Sequence, residues 1–374
     1  MSARRILKKI VSHFPKSLFN FSIRLTKNKS FDKSLISNNL DSYSEDKGTT
    51  CIKSVPSKIN NEYDLQIVVP CYNISKYGER CITSILNQKT QFKYLAVFID
   101  DGSTDGTLDL LKKYERGNVL ILHKENGGSA SARNLGLENI RSKYVMFVDS
   151  DDYLLNENVL EGMIKILKDI ETDDYNLIIE FDYINSSQKP KKIKKQTLTE
   201  CSSYELTGFP WGKIYSSKLF EKVCFPEKYW FEDTVMHMIV YPMADLCYKS
   251  NFCSYFYRLN EYGMTSLSTK SNKTIDTFYV TRRLLEDRDK LKINKDELFY
   301  HRFFYQTICN CVRLLGLPRE AQLLVFFETQ KLLFEHQIRC IKPFKTLYKS
   351  LRDSKFDQYV SFCRWFTTLY LNVD

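Results

Sequence analysis

The stretch Tyr144–Asp152, YVMFVDSDD, decides the fold: a β-branched and aromatic run stops abruptly in three carboxylates. Two other runs behave alike. Gln66–Pro70 (QIVVP) passes into Cys71-Tyr72-Asn73, and Tyr94–Ile99 (YLAVFI) passes into Asp100-Asp101-Gly102-Ser103. Short runs of this kind, separated by helical stretches, predict parallel strands joined by crossovers. In open α/β sheets, ligands lie in the crevice beyond the carboxyl ends of the strands. Carboxylates gathered there repel one another unless a cation or a hydrogen-bonded ligand is shared between them. That points to a metal-dependent nucleotide site.

Working outward, Tyr77–Gln88, Thr107–Tyr114, Ser129–Asn139 and Val159–Ile170 read as helices, and Val119–His123 and Tyr175–Tyr183 as further strands. Beyond about Thr274 the chain reads as largely helical, with aromatic-rich apolar positions such as Phe303, Phe304, Phe326, Phe327, Leu332, Leu333 and Phe334. The expected architecture is α/β, a mostly parallel sheet flanked by helices with a largely helical C-terminal region. Its parts are an N-terminal arm and linker at 1–62, the sheet domain at 63–270 and the helical region at 271–374. Packing on the sheet is the first reading of that last region; homo-oligomer formation or membrane contact is the second.

The 374 residues, 43% hydrophobic and 14% aromatic, are ample for a sizeable core. The net charge of +10 is placed unevenly, since residues 1–60 hold twelve Lys/Arg against four Asp/Glu. The excess is therefore a basic arm, not a basic surface spread over the folded domain as in a nucleic-acid binder. Ile6, Leu7, Ile10, Val11 and Phe14 fall at helical spacing among Arg4, Arg5, Lys8 and Lys9, and Pro15 ends the pattern. Such a helix lies on an anionic membrane surface or docks on the protein's own body. Residues 28–62, rich in Ser, Asn, Lys and Asp, read as a linker, and the tract Lys189–Lys195 (KPKKIKK) as a solvated loop or hairpin tip. No run approaches the ~20 apolar residues of a spanning helix, and the start lacks a signal peptide's pattern. Eleven cysteines without a CxxC pair suit neither a disulfide framework nor a zinc site. The expected setting is cytosolic, with reduced thiols.

Asp149-Ser150-Asp151 at a strand end suits Mn²⁺ or Mg²⁺, which take one or two protein carboxylates and complete their shell with phosphate oxygens and water. Acids there can equally cap the next helix. Asp101 can accept a base N–H beside the turn at Gly102, while Ser103, Thr104 or Asp105 caps the helix near Thr107. Asn126–Asn134 (NGGSASARN) is a glycine turn into a small-residue helix start, from which Arg133 can reach phosphate or hold the acidic loops in place. It is neither GxGxxG nor a P-loop. A receiver domain would put acids after the first strand, where PCYN stands, and a haloacid-type phosphatase would not end its motif on Tyr153. Glu232-Asp233, beside an aromatic pair, could serve as a general base within reach of an acceptor hydroxyl, or cap the helix Thr234–Val240.

In order and spacing, PCYN, DDGSTDGT, NGGSASARNLG and DSDDY, followed by Trp211–Tyr215 (WGKIY), Trp230–Thr234 (WFEDT) and Tyr255–Arg258 (YFYR), resemble family 2 glycosyltransferases of the GT-A fold. The resemblance covers about residues 64–268. It implies that Pro70, Tyr72 and Asn73 line the base pocket and that Asp101 accepts the uracil N3–H. It implies further that Asp149 and Asp151 hold Mn²⁺ or Mg²⁺ on the diphosphate; Arg133 is placed on the nucleotide side by its position after the glycine turn, not by the resemblance. Asp233 would be the general base and Glu232 its assistant. Trp211, Asp152 and Arg258 would border the donor and acceptor pocket. The implied reaction is inverting transfer from a nucleotide sugar, UDP-linked first, to a glycan or lipid-linked glycan of a bacterial surface polysaccharide. Its implied station is the cytoplasmic, inner face of the membrane. The competing readings are a catalytically degenerate nucleotide- or glycan-binding scaffold and a nucleotidyltransferase. The latter would need a glycine-rich basic loop where CYNISKYGER stands.

Overall fold

The computed structural model describes residues 39–170, 175–186, 196–259 and 271–370; the basic segment 3–14 and the tract Lys189–Lys195 lie outside them. The chain divides into two compact units. One holds Thr49–Lys228 and Glu232–Asn260, the other Met1–Gly48, Tyr229–Phe231 and Glu261–Asp374.

The first unit is built on β1 (Lys58–Cys71), β2 (Tyr94–Asp101), β3 (Val119–Lys124) and β4 (Asn139–Phe147). These lie in the order β3-β2-β1-β4, all parallel. The sheet continues beyond β4 through β8 (Lys213–Ser216), β6 (Leu177–Asn185), β9 (Leu246–Tyr257) and β5 (Tyr153–Leu154), with β7 (Leu198–Glu200) pairing β9. Of these joins only β6 with β9 is parallel. Every residue of β2 is buried, which is why its sequence is a continuous apolar run rather than an alternation.

Helices α1 (Glu79–Leu86), α2 (Thr107–Lys112), α3 (Ser129–Gly136) and α4 (Val159–Lys168) make the crossovers and flanks. α1 turns Cys81, Ile82, Ile85 and Leu86 into the core formed with Leu65, Ile67 and Val69 of β1. Burial of such an aliphatic side chain is worth roughly 1.5–3 kcal/mol. α3 lies close on β1, since a Cβ at Gly136 would stand 2.6 Å from Val68 Cγ1; a larger residue there would push helix and strand apart.

Two boundaries differ from the sequence reading. β1 begins at Lys58, inside the stretch read as linker. Its first residues, KINNE, are largely exposed and hence polar, and they are held by main-chain pairing with β4, Lys58 facing Asn139. β4 accordingly starts at Asn139, and α3 stops at Gly136 instead of reaching Asn139.

The second unit contains α5 (Asp276–Lys290), α6 (Glu297–Arg313), α7 (Arg319–Glu335), α8 (Lys345–Arg352) and α9 (Phe356–Tyr370). Asp296 caps α6 by accepting from Phe299 N at 2.8 Å. Phe304 stacks on Phe344 at 5.2 Å, and Phe326 packs against Phe356 and Tyr359. Leu332 and Leu333 are buried as expected, whereas Phe334 is 54% exposed. Residues 229–231 belong to this unit and are tied to it by three contacts. Trp230 N–H donates to Asp276 (2.9 Å), the Tyr229 hydroxyl donates to Asp46 (2.6 Å), and the Arg313 guanidinium lies 3.9 Å from the Phe231 ring centre. Among the described residues no helix is long and apolar enough to cross a membrane.

Candidate active site

The loops following β1, β2 and β4 leave the sheet at the same edge, because those strands are parallel and adjacent. The first two are cross-tied. Asn73, at φ 52°, donates its N–H to Ser103 Oγ (2.9 Å) and accepts Thr104 N–H on Oδ1 (2.9 Å). Ile74 N–H meets Thr107 Oγ1 at 2.8 Å, and Asp105 accepts from the Ser75 N–H and hydroxyl. Asp105, one residue before the N-cap Gly106, thus both accepts the Thr107 N–H and hydroxyl at the start of α2 and joins the loops. Pro70 is half-buried at the strand end, and Tyr72 is 50% exposed at the rim.

Both acids of the Asp100-Asp101 pair are buried. Asp100 contacts His123 Nδ1 at 2.7 Å. Asp101 accepts Gly127 N–H (3.0 Å) and Lys124 Nζ (2.9 Å) on Oδ1 and Gly128 N–H (2.7 Å) on Oδ2. A carboxylate offers about four lone-pair positions, so these three donors leave room for one more. Asp101 therefore shapes the glycine turn that opens α3 and keeps one acceptor position.

From α3, Arg133 closes the site. Its guanidinium is buried and donates NH2 to Asp149 (2.8 Å) and NH1 to Glu232 (2.9 Å). Burial works against its charge, but the two carboxylates more than offset that and hold its pKa above the ordinary value. Glu232 Oε1 also accepts the Ser129 hydroxyl. The expected alternatives for Arg133 thus resolve, in this structure, to a bridge between acidic loops. Glu232 is buried and anchored, and Asp233 beside it is half-buried.

Asp149 and Asp151, both partly exposed, stand two apart after β4. Asp152 is turned inward, accepting the Tyr255 hydroxyl (2.7 Å) and Arg258 N–H (2.7 Å). Burial first, then the negative charge of Asp149, raises the Asp152 carboxyl to about 8. Asp149 and Asp151 remain the part-exposed pair of the loop, the kind of carboxylate pair a divalent cation takes while keeping phosphate and water positions. Among the described residues, no three His, Cys, Asp or Glu side chains gather into an all-protein metal cage.

Trp211 is buried, stacked on Phe209 (4.7 Å), Tyr255 (4.8 Å) and Tyr257 (5.1 Å), with Tyr183 edge-on. It supports the wall of the site, and the exposed ring above it is Phe209. Gly212, at φ 68°, turns the chain into β8 directly afterwards, a left-handed geometry that glycine adopts without strain. Three motif residues carry roles that the sequence does not assign: Tyr255, whose hydroxyl also accepts Asp149 N–H at 3.1 Å, Ser129, and Lys213, paired with Glu180 at 3.1 Å. Strand alternation in SYFYR puts Tyr255 and Tyr257 on one face, the available signal for the first.

A parallel strand core with carboxylates at its ends continues into a mostly antiparallel second half, an α/β architecture whose ligands lie beyond the strand ends. Residues 66–231 match the sequence family Glycosyl transferase family 2. The glycosyltransferase GlyA of Streptococcus pneumoniae is 28% identical over 223 residues, 55% of this chain and 32% of its own. The poly(ribitol-phosphate) β-N-acetylglucosaminyltransferase TarS of Staphylococcus aureus is 26% identical over 330 residues, 78% of this chain and 56% of its own. The chain thus spans between about a third and a little over half of these curated relatives. The crystal structure of S. aureus TarS 1–349 in complex with UDP-GlcNAc superposes with a TM-score of 0.65 at 23% identity, covering 82% of this chain and 92% of that one. The fold is GT-A, and the segment that matches the family 2 glycosyltransferase model is its sheet domain, residues 66–231.

Proposed function

We propose that the protein is an inverting glycosyltransferase. It moves a sugar from a UDP-linked donor to a hydroxyl of a glycan or lipid-linked glycan destined for a bacterial surface polysaccharide. The observation that carries this reading is the Arg133 bridge. One guanidinium joins Asp149, on the donor-side acidic loop, to Glu232, the residue next to Asp233. Donor-side carboxylate and candidate base therefore belong to one rigid assembly. The likeness to TarS, solved with UDP-GlcNAc, supports a UDP-sugar donor.

In this reading Tyr72 and Asn73 border the base, and Asp101 uses its remaining acceptor position for the uracil N3–H. Asp149 and Asp151 would hold Mn²⁺ or Mg²⁺, which would neutralise charge developing on the departing diphosphate. Asp233 takes the proton of the acceptor hydroxyl as its oxygen attacks the anomeric carbon. The bond from that carbon to the diphosphate oxygen breaks, and the configuration inverts. Glu232 positions Asp233 through Arg133 and Ser129. The basic, amphipathic segment 3–14 supports a peripheral station on the cytoplasmic face of the membrane.

The test is thermal stability against UDP-, GDP-, dTDP- and CMP-sugars, with and without Mn²⁺. A native-state ligand raises stability by RT ln(1 + [L]/Kd). The expected result is a shift with a UDP-sugar whose Mn²⁺-dependent part disappears in Asp151→Ala. Asp233→Asn should keep the shift while transfer falls about 10²–10⁴-fold. No shift with any nucleotide would sink the reading in favour of a scaffold, and equal loss of donor binding in Asp233→Asn would remove the base role.

A further inference from the structure

Phe209 combines exposure with rigidity. It is 40% exposed, yet its loop is tied at three carbonyls. The Tyr241 hydroxyl donates to Thr207 O (2.7 Å) and Phe209 O (3.2 Å), Lys213 Nζ to Phe209 O (2.8 Å), and the Tyr215 hydroxyl to Pro210 O (2.9 Å). All three donor residues are buried. Exposure of one ring is ordinary; what sets Phe209 apart is that buried polar groups fix its backbone, the arrangement expected of a preorganised contact surface.

The ring lies on the indole of Trp211 at 4.7 Å and 9°. Tyr257 stacks on the same indole, and its centroid is 6.4 Å from that of Phe209. That is less than twice the ~3.5–4 Å contact distance of stacked carbons, so the two rings lie side by side on one face of Trp211. On the chain, Tyr257 immediately precedes Arg258, whose N–H is bound by Asp152. The two-ring shelf therefore adjoins the acidic loop.

We propose that Phe209 and Tyr257 form a subsite on which a neutral pyranose ring of the acceptor stacks. This deepens the transferase reading and rests on it. A pyranose presents a flat face of C–H groups that packs on aromatic carbon, while its hydroxyls stay at the rim. An open-chain polyol phosphate has no such face. The shelf accordingly selects sugar rings over polyol phosphates.

The experiment is saturation-transfer NMR on the full chain with three probes: methyl β-glucopyranoside, methyl N-acetyl-β-glucosaminide and ribitol 5-phosphate. Wild type, Phe209→Ala, Phe209→Leu and Phe209→Tyr are compared, and thermal shift with UDP-N-acetylglucosamine is read on the same samples. We expect saturation at the ring C–H protons of a pyranoside. Its affinity should fall about two- to tenfold in the Ala and Leu variants and persist in the Tyr variant, with nucleotide binding unchanged in all. Absence of pyranoside binding to wild type, equal binding to Phe209→Ala, or preference for ribitol phosphate would overturn the subsite. Absence of nucleotide binding to wild type would instead overturn the transferase reading, leaving the glycoside result to be judged by itself.

Discussion

Arg133 concentrates what residue-level reading can and cannot reach. Its place after a glycine turn limits it to the cleft, but its two roles, reaching phosphate or holding acids, are equal on paper. Burial decides: with Asp149 and Glu232 each within 3 Å, removing it leaves Glu232 charged and without that partner in the interior. Breaking a buried ion pair on one side costs about 3–5 kcal/mol. Arg133→Met should therefore lower the urea midpoint markedly, and adding Glu232→Gln should recover part of the loss. A double variant no more stable than the single one would show that the Glu232 charge is not the source. Trp211 teaches the same lesson in reverse. A tryptophan in a motif invites a ligand-facing role, but rings on β9 and the preceding loop cover it and pass the exposed position to Phe209.

At the scale of elements, strands buried on both faces were legible because continuous apolar runs have few other uses, and their acid-rich ends marked one edge of the sheet. The antiparallel half was not. β5, β7 and β8 are two to four residues long, too short for any periodicity to register. The excursion Tyr229–Phe231 was also hidden, since nothing local announces that Trp230 N–H will meet the first residue of α5. Burial raises the Asp276 carboxyl to about 6, against the Trp230 N–H that lowers it. The folded state then holds more protons than the unfolded one between about pH 4 and 6. This contribution to stability is fully present below about pH 4 and is lost as pH rises through 6. Asp276→Asn, whose amide oxygen still accepts the Trp230 N–H, should lack that component. Denaturant midpoints of wild type and variant should converge or cross over the window, by on the order of 2 kcal/mol; parallel curves would refute it.

For the molecule as a whole, the charge excess of residues 1–60 and the amphipathic spacing of 3–14 bear on where the protein resides. Deleting residues 1–28 should release the protein from vesicles containing anionic lipid while leaving its thermal shift with a UDP-sugar intact. Unchanged sedimentation with vesicles would end the peripheral-membrane proposal. The amino-acid sequence by itself determined the α/β class, the edge of the sheet at which the carboxylates gather and the identities of those acids, because apolar runs and strand-end carboxylates are local properties of the chain. Only the tertiary structure decided how those acids divide their work. Asp152 turns inward, Asp101 holds a glycine turn, and Glu232 is locked to Arg133, leaving Asp149, Asp151 and Asp233 the more exposed. The physical reason is that the cost of burying a charge depends on which partners other parts of the chain bring within hydrogen-bond reach. Those partners lie up to 106 residues away in sequence, as with Asp152 and Arg258.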